Sequence, residues 1–224
     1  AVIHNKPKVE MDTIQDTQLK ANEGCTALAQ RLQIVQNHLR INAIMNMHPT
    51  GSLVTGGTGA LGLLISCWSQ QRGVIGLTLL SRSGNTPATT TQHWMHTSAI
   101  ETSFSVCVEL CDICRQHEAA FAVEHGDTVV TEMLHSAGVL ADALLQNQTQ
   151  VGLQRVWCPK ADAGWRLHKA GCEASGGLLE VFAVFSSIAA LLGGPGQANY
   201  AAANSSLDHL VYSRVAIGLA GISL

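Results

Sequence analysis

The chain has 224 residues, of which 13% are charged and 46% are apolar, so a disordered polypeptide is excluded and one sizeable folded core is expected. Lysine and arginine together number 13 against 16 aspartates and glutamates, and the resulting net charge of −3 excludes a basic surface for nucleic acid. The 21 glycines and the 4% of aromatic residues favour an α/β protein with tight turns and closely packed elements.

The N-terminal part of the chain differs in composition from the rest. Residues 1–49 are richer in Gln, Asn and Lys, and apolar residues recur at helical spacing, which predicts a helical lead-in. This part lacks the succession of basic, apolar and small residues that marks a signal peptide. The most apolar stretch, at 178–194, is interrupted too often for a membrane span. We therefore expect a cytoplasmic protein without membrane contact.

From residue 50 onward, short apolar runs alternate with helical stretches. The apolar runs are continuous, which indicates parallel strands covered on both faces. The succession of strand and helix favours a Rossmann-like, doubly wound parallel sheet over residues 50–224, and we expect this domain to be incomplete at its C-terminus because the chain ends inside a strand. The predicted strands lie near 51–55, 76–81, 104–109, 129–135 and 179–186, with a sixth from 219, and the predicted helices near 60–72, 113–125, 142–157, 161–170 and 200–216.

A glycine-rich loop follows the first predicted strand and opens the first predicted helix. Its glycines have the spacing G-x-G-x-x-G. Without Cβ atoms, such a loop turns sharply and lets the backbone approach a pyrophosphate, whose charge is met by N–H groups at the helix N-terminus. In this strand, loop and helix context, the spacing predicts dinucleotide binding rather than an ordinary turn. The candidate cofactor residues here are Thr55, Gly56, Gly57, Thr58, Gly59, Leu61 and Gly62.

The ends of the next three predicted strands supply further candidate cofactor residues. At the end of the second strand, an acid would bind a ribose 2′-hydroxyl, whereas an arginine suits a 2′-phosphate and therefore favours NADPH. After the third strand, an aspartate either contacts the adenine or caps the helix predicted from residue 113. After the fourth, small residues leave room for a flat cofactor. The candidates at these three ends are Ser81 and Arg82, Asp112 and Ile113, and Ser136, Ala137 and Gly138.

A proton donor and a hydrogen-bonding group for a carbonyl substrate lie after the fifth predicted strand. Ser187 ends this strand and Tyr200 begins the next helix. Reduction of a carbonyl needs a proton for the developing alkoxide and a hydrogen bond that holds the oxygen, and a tyrosine of lowered pKa beside a serine supplies both. An ammonium group lowers such a pKa. Because Asn204 occupies the position one helical turn after the tyrosine, the candidate lysine is Lys160, on the preceding helix.

The seven cysteines are odd in number and irregularly spaced, so reduced thiols are expected rather than a disulfide framework. Cys107, Cys111, Cys114 and His117 have a zinc-like spacing. No second Cys-x-x-Cys or His-x-x-x-His completes a ligand set, so we expect no metal site and interpret these residues as packing. His135, at the end of a buried strand, is likewise interpreted as a structural histidine.

Five stretches are distinctive when they are taken together. They are Thr-Gly-Gly-Thr-Gly-Ala-Leu-Gly at 55–62, Leu-Leu-Ser-Arg at 79–82, His-Ser-Ala-Gly-Val-Leu at 135–140, Pro-Lys at 159–160, and the run from Val-Phe-Ser-Ser to Ala-Ala-Ala-Asn at 184–204. In this combination the sequence resembles the ketoreductase domain of modular polyketide and fatty acid synthases, a branch of the short-chain dehydrogenase/reductase superfamily.

This resemblance implies the reaction, the partners and the catalytic residues. It implies NADPH-dependent reduction of a β-ketoacyl thioester to the 3-hydroxyacyl thioester. The substrate is implied to be carried on the phosphopantetheine arm of an acyl carrier protein, with other synthase domains as neighbours. In this family Lys and Asn exchange places relative to ordinary short-chain dehydrogenases, which is the arrangement in this sequence. The implied catalytic residues are Tyr200, Ser187, Lys160 and Asn204.

The resemblance also bears on product stereochemistry. One subgroup makes D-configured 3-hydroxyacyl products and carries Leu-Asp-Asp after Ala-Gly-Val, whereas this chain has Leu-Ala-Asp and departs at Ala141. Two further positions match that subgroup, and a leucine stands where the opposite subgroup has Trp. A D-configured product is therefore implied, with the substrate oriented by Leu140, Asp142, Leu192, Pro195 and Asn199.

Family members have parts that this sequence does not show. They continue past the last strand with Asn-Trp-Gly, a lid helix and a final strand, and a structural subdomain precedes their catalytic half. Residues 1–49 are interpreted either as a lead-in or as a remnant of that subdomain. Two alternative functions stay open. One is a catalytically inactive cofactor-binding or structural fragment of a synthase, and the other is a free-standing short-chain reductase, which Asn204 disfavours.

Overall fold

The computed structural model describes residues 50–71, 74, 76–85, 105–124, 129–174 and 179–224. The helical lead-in predicted at 1–49 lies outside the described residues. Within these ranges, no helix is both long and apolar enough to span a membrane. The strands are β1 (Thr50–Thr55), β2 (Gly76–Ser81), β3 (Ser105–Leu110), β4 (Val129–His135), β5 (Val181–Val184) and β6 (Ile222–Ser223). The helices are α1 (Ala60–Gln71), α2 (Gln116–Glu124), α3 (Gln150–Trp157), α4 (Ala163–Ala174), α5 (Ala189–Leu192) and α6 (Ala198–Ala216).

The described strands form one parallel sheet in the order β3-β2-β1-β4-β5-β6. The chain builds outward from β1 to β3 and then crosses back, so β4 pairs with the other side of β1. This reversal leaves a crevice at the carboxyl ends of β1 and β4, which is where doubly wound proteins bind their ligands. The predicted Rossmann-like α/β fold is confirmed.

The region after β4 differs from the sequence-based prediction. The helix predicted at 142–157 is a short 3₁₀ turn at Leu145–Asn147 followed by α3 at Gln150–Trp157. Thr149 explains the late start of α3, because its hydroxyl accepts a hydrogen bond from the Gly152 N–H at 3.0 Å. Such a cap satisfies one of the free N–H groups of the first helical turn. A further element that the sequence did not predict is the single helical turn α5.

The apolar core joins the middle of the sheet to helices α4 and α6. Leu53, Met133 and Phe182 from the sheet pack in one cluster with Leu167 of α4 and Leu207 of α6, and each is at most 1% exposed. Full burial of a side chain of this kind contributes about 1.5–3 kcal/mol. The helix that carries the candidate tyrosine is therefore fixed to the strands whose ends form the crevice.

Arg214 fastens the last described segment to this core. Its side chain is 2% exposed, its Nε donates to the main-chain oxygen of Ala220 at 2.8 Å, and its Nη1 donates to Nδ1 of His168 at 2.6 Å. The guanidinium carbon also lies 4.1 Å from the ring centroid of Phe182. Burial and the charge of Arg214 lower the pKa of His168, which keeps the ring neutral and able to accept. The sixth strand follows this anchor and begins at Ile222, later than the predicted residue 219.

Candidate active site

The glycine-rich loop between β1 and α1 packs so closely that side chains have no room at most of its glycines. Gly56 has a φ of +65°, and a Cβ there would lie 2.8 Å from Cα of Ala137. A Cβ on Gly57 would lie 2.6 Å from Cβ of Leu79, and one on Gly62 would lie 2.5 Å from Cα of Gly57. Glycine is therefore required for the loop to lie against the carboxyl ends of β2 and β4.

The outer part of the loop is open. A Cβ on Gly59 would meet nothing within 4 Å except the main-chain oxygen of Gly56, at 3.2 Å. The next residues begin α1, and Leu61 is 41% exposed. The first N–H groups of a helix have no intrahelical acceptor, and the helix dipole gives this end a partial positive charge. The start of α1 can therefore offer N–H groups to an anion at the crevice.

Two hydroxyl groups join the loop to the end of β2. Thr58 Oγ1 and Ser81 Oγ lie 2.8 Å apart and both side chains are buried. Ser81 Oγ also accepts a hydrogen bond from the Gly84 N–H at 3.2 Å. Arg82, the next residue after the strand, is exposed. Its guanidinium is therefore accessible to a phosphate bound beside the loop.

Asp112 caps a turn rather than a helix. Its Oδ1 accepts from the Cys114 N–H at 3.1 Å, and its main-chain oxygen accepts from the Arg115 N–H at 2.7 Å. Helix α2 therefore begins at Gln116, and the helix start predicted at residue 113 is wrong. Ile113 is 7% exposed and belongs to the apolar core. A contact of either residue with adenine stays a prediction.

His135 joins β1 and β4 to the segment that carries Lys160. Its ring is 1% exposed, and Nε2 lies 2.9 Å from the main-chain oxygen of Lys160, which can only accept, so Nε2 carries the proton. Nδ1 then accepts from the Thr55 hydroxyl at 2.6 Å. The Ser136 hydroxyl donates to the main-chain oxygen of Thr55 at 2.7 Å. The interpretation of His135 as a structural histidine is confirmed, but no signal in the sequence indicated which residues it contacts.

This buried histidine predicts that acid destabilises the fold. Burial lowers the pKa of His135 from 6.5 to about 4. Between these two values the unfolded chain binds a proton that the folded chain excludes, so stability falls as the pH falls from 6.5 towards 4. We expect this group to cost about 2 kcal/mol of unfolding free energy between pH 7 and pH 5.

The measurement is denaturant unfolding at both pH values for the parent and for His135→Gln, which does not titrate. The loss of stability on acidification should be smaller in His135→Gln by that amount. Equal losses in the two proteins would contradict the assignment of this pH dependence to His135.

Lys160 lies in a π-helical segment, Cys158–Asp162, between α3 and α4. The side chain is 4% exposed, and Nζ donates to the main-chain oxygen of Phe185 at 2.8 Å. Burial lowers the pKa of Lys160 to about 8, while the Asp208 carboxylate acts in the opposite direction. A Cβ on Gly138 would lie 2.8 Å from Cε of Lys160. Gly138, predicted as a cofactor contact, therefore also leaves room for the lysine.

Helix α6 places Tyr200 and Asn204 beside this lysine. Nζ of Lys160 lies 5.3 Å from the ring centroid of Tyr200. Asn204 is fully buried and its Nδ2 donates to the main-chain oxygen of Tyr200 at 2.8 Å, whereas its Oδ1 has no partner among the described residues. Ser187 is half-buried in the loop after β5, where its Oγ accepts from the Ala189 N–H at 3.2 Å. The predicted Lys160, Tyr200 and Asn204 thus come together in space, with Ser187 just after the neighbouring strand.

The segment after β4 is hydrogen-bonded to the first turn of α6 and to the residue just before this helix. Asn199 is 2% exposed, its Nδ2 donates to the main-chain oxygen of Ala141 at 2.7 Å, and its Oδ1 accepts from the Tyr200 N–H at 2.8 Å. Gln197 Nε2 donates to Oδ2 of Asp142 at 3.1 Å. Both ends of the Asn199 amide are therefore engaged within the protein, where they position the start of α6. The other residues that are predicted to orient the substrate are exposed. They are Leu140, Asp142, Leu192 and Pro195.

The residues around the crevice can hold a dinucleotide. The N-terminus of α1 offers N–H groups to a pyrophosphate, the open space at Gly59 lets a ligand approach the loop, and the exposed Arg82 offers a guanidinium beyond the end of β2. Small residues at 136–138 line the opposite side. On this arrangement the nicotinamide end of such a cofactor would face the group formed by Lys160, Tyr200 and Ser187.

Comparison with known proteins identifies similar domains. The KR domain family matches residues 50–224. Naringenin synthase from Pestalotiopsis fici is 38% identical over 175 residues, which are 77% of this chain and 6% of that protein. Polyketide synthase GfsA from Streptomyces halstedii is 38% identical over 182 residues, which are 79% of this chain and 2% of that protein. The chain thus spans less than a tenth of the length of these two relatives.

Solved structures show the same similarity. A-type ketoreductases from a modular polyketide synthase match with a TM-score of 0.70 and 29% identity over 82% of this chain and 38% of theirs. The first ketoreductase of the tylosin polyketide synthase matches with a TM-score of 0.68 and 28% identity over 79% of this chain and 38% of its own. A short-chain dehydrogenase/reductase from Vibrio parahaemolyticus, at 18% identity and a TM-score of 0.63, shares the fold over 77% of this chain and 73% of its own.

Proposed function

The chain belongs to the KR domain family of polyketide synthases, within the short-chain dehydrogenase/reductase superfamily, and we propose that it reduces a β-ketoacyl thioester to the 3-hydroxyacyl thioester with NADPH in polyketide biosynthesis. The observation that carries the proposal is the buried ammonium of Lys160 beside the Tyr200 ring, at the end of the sheet that also holds the glycine-rich loop. Members of this family are oxidoreductases that act on keto groups.

In this proposal Tyr200 is the proton donor and Ser187 holds the substrate. The Tyr200 hydroxyl donates its proton to the carbonyl oxygen as negative charge develops there, and the Ser187 hydroxyl donates a hydrogen bond to the same oxygen. NADPH, when bound, supplies the hydride that reduces the carbonyl carbon. The Ser187 Oγ already lies in a turn with the Ala189 N–H, which leaves its proton available for donation.

Lys160 and Asn204 position Tyr200 and assist its proton transfer. The Lys160 ammonium stabilises the tyrosinate that forms on proton donation, and its hydrogen bond to the Phe185 main chain keeps it in place. Asn204 binds the Tyr200 main chain through Nδ2 and leaves Oδ1 to accept a hydrogen bond in the relay that returns the proton. Lys160 on the π-helical segment and Asn204 on α6 thus both assist proton transfer by Tyr200.

The proposed substrate class is based on the similarity to polyketide synthases. The relatives named above include a polyketide synthase, so we assign the reaction to polyketide rather than fatty acid biosynthesis. The thioester would be presented on the phosphopantetheine arm of an acyl carrier protein, with neighbouring synthase domains as further partners. The product would be D-configured at the hydroxyl carbon, with the exposed Leu140, Asp142, Leu192 and Pro195 orienting the acyl chain. A cytoplasmic location stays a prediction.

Replacing Arg82 tests both the reaction and the choice of cofactor. With a β-ketoacyl cysteamine thioester as substrate, the protein should oxidise NADPH and release the 3-hydroxyacyl product. Arg82→Ala should raise KM for NADPH about tenfold or more, because it removes a charged hydrogen bond to the 2′-phosphate, and should leave KM for NADH unchanged. Initial rates with each nucleotide measure the effect.

The matched control is Arg155→Ala, which removes another exposed arginine, on α3, and should change neither KM. An equal rise of both KM values in Arg82→Ala would argue against 2′-phosphate recognition by this residue. Absence of product with either nucleotide would argue against the reductase function itself.

A further inference from the structure

Three hydrogen bonds close a ring around Lys160, and His135 takes part in two of them. The His135 Nε2–H donates to the main-chain oxygen of Lys160 at 2.9 Å. The Lys160 ammonium donates to the main-chain oxygen of Phe185 at 2.8 Å, and the Phe185 N–H donates to the main-chain oxygen of His135 at 2.9 Å. The main chain and the ammonium of Lys160 are therefore both tied to the carboxyl ends of two paired strands, β4 and β5.

The imidazole of His135 is itself held in one orientation and in one tautomer. The ring is 1% exposed, and a Cβ on Gly164 of α4 would lie 3.6 Å from its Cδ2, so this helix packs against the ring. Thr55 Oγ1 lies 2.6 Å from Nδ1. The Thr55 hydroxyl donates to Nδ1 and so keeps the imidazole proton on Nε2, where the Lys160 oxygen needs a donor. Because Thr55 is the last residue of β1, the ring also joins Lys160 to the start of the glycine-rich loop.

We propose that His135 is a positioning residue for the reductase reaction, which holds the Lys160 segment through its Nε2–H so that the ammonium lies beside the Tyr200 ring. The inference rests on the proposed function, since it assigns His135 a role in the same site. His135 acts through Lys160 and takes no part in proton transfer. The segment that it holds is π-helical, a rare form of helix that is frequent at functional sites.

The rate should depend on this hydrogen bond because the electrostatic effect of an ammonium depends on its distance from the charge that it stabilises. Nζ of Lys160 lies 5.3 Å from the centroid of the Tyr200 ring. Without the imidazole donor, the Lys160 main chain is no longer tied to β4, and the segment can shift. A misplacement of about 1 Å can lower a rate by about 10²-fold.

Two substitutions of His135 separate its two side-chain hydrogen bonds. His135→Asn keeps an acceptor for the Thr55 hydroxyl but is too short to donate to the Lys160 oxygen, whereas His135→Gln carries an amide N–H that reaches the position of Nε2. We expect kcat for the β-ketoacyl thioester to fall about tenfold or more in His135→Asn and to stay within about threefold of the parent in His135→Gln. KM for NADPH should be unchanged in both.

The titration of Lys160 is a second readout, which needs no enzymatic activity. It is followed by ¹³C NMR at Cε in the full chain and assigned through its loss in Lys160→Met. Burial lowers the pKa of Lys160 to about 8, and Asp208 and Tyr200, both on α6, also face the ammonium. The midpoint should lie near 8 in the parent and in His135→Gln, and higher in His135→Asn, because a displaced ammonium gains solvent.

Met133→Val is the matched control. It shortens another buried side chain of β4 and removes no hydrogen bond to Lys160. If His135 only supported the core, Met133→Val and His135→Asn would behave alike. We expect Met133→Val to keep both the Lys160 midpoint and kcat of the parent.

Two outcomes would overturn the proposal. One is a Lys160 midpoint and a kcat in His135→Asn that equal those of the parent, and the other is an equal loss in His135→Asn and His135→Gln. If His135→Asn does not fold, ¹⁵N NMR of the parent decides. A proton on Nε2 with a hydrogen-bond coupling to the Lys160 carbonyl supports the proposal, and a proton on Nδ1 contradicts it. A parent that reduces no thioester would refute the proposed function, whereas the Lys160 titration would still test the role of His135.

Discussion

Tyr200→Phe should abolish reduction of a β-ketoacyl thioester while NADPH still binds. The substitution removes one hydroxyl and keeps the ring that packs beside the Lys160 ammonium. Proton donation by a positioned side chain is worth about 10²–10⁴-fold, so kcat should fall by at least about 10²-fold. The dissociation constant for NADPH should be unchanged, because the proposed phosphate contacts, the glycine-rich loop and Arg82, follow β1 and β2 and are not touched by the substitution. Steady-state kinetics and a direct binding titration measure the two effects.

Tyr212→Phe is the matched control for this experiment. Tyr212 lies on the same helix, α6, is 75% exposed and is the only other tyrosine of the chain. Its loss should leave kcat unchanged. A Tyr200→Phe protein that reduced the thioester as fast as the parent would show that the proton comes from another group.

Removal of the Lys160 ammonium should lower kcat nearly as much as Tyr200→Phe does. Lys160→Met keeps most of the side-chain volume but removes the charge that faces Tyr200, and loss of one such preorganised electrostatic group costs about 10²–10³-fold in kcat. Because the ring position of Tyr200 depends mainly on α6, its geometry should survive the change. The exposed Lys169 of α4 offers the matched control, and Lys169→Met should keep the parent rate.

The same lysine predicts the pH dependence of the reaction. Burial lowers the pKa of Lys160 to about 8, so the group is charged below that value and neutral above it. If the charged form is required, kcat/KM falls as the pH rises through about 8. The Asp208 carboxylate raises this pKa, so Asp208→Asn should move the fall in rate to lower pH. Identical pH profiles for Asp208→Asn and the parent would contradict this role for Lys160.

The arrangement of strands could be predicted from the sequence because local signals and topology agree. Each strand appears as a continuous apolar run, and the glycine-rich loop marks the first crossover. The strand order then follows from right-handed connections and from the doubly wound pattern. The predicted ends of helices and strands are least accurate where tertiary contacts determine them. One example is residues 141–144, where Ala143 N–H bonds to Gly196 and Asn199 binds Ala141 in place of a helix.

The candidate site could be predicted as residue types but not as a network. Lys160, Tyr200 and Asn204 are identifiable from their motifs, yet the contacts that fix them involve groups without any sequence signal. The Lys160 ammonium is held by the main chain of Phe185, and the Lys160 main chain is held by the ring of His135. Main-chain partners of this kind depend on how distant segments pack, and any residue type can supply them.

Some side chains that are predicted to contact the cofactor or the substrate also have partners within the protein. The Asn199 amide accepts from the Tyr200 N–H and donates to the main chain of Ala141, and its role in orienting substrate stays a prediction. The hydroxyls of Thr58 and Ser81 bind each other, and the predicted contacts of these residues with the cofactor stay predictions. In each case a buried polar group has found a partner within the protein, as the cost of leaving it unpaired requires.

The transfer of deuterium from labelled NADPH to the substrate tests the central claim most directly. The protein is mixed with NADPH carrying deuterium at both C4 positions and with a β-ketoacyl cysteamine thioester, and the product is analysed by mass spectrometry and chiral chromatography. The account predicts one deuterium at C3 of a D-configured 3-hydroxyacyl thioester in the parent and none in Tyr200→Phe. A parent protein that binds NADPH in a titration but transfers no deuterium to C3 would contradict it and would favour a cofactor-binding domain without reductase activity.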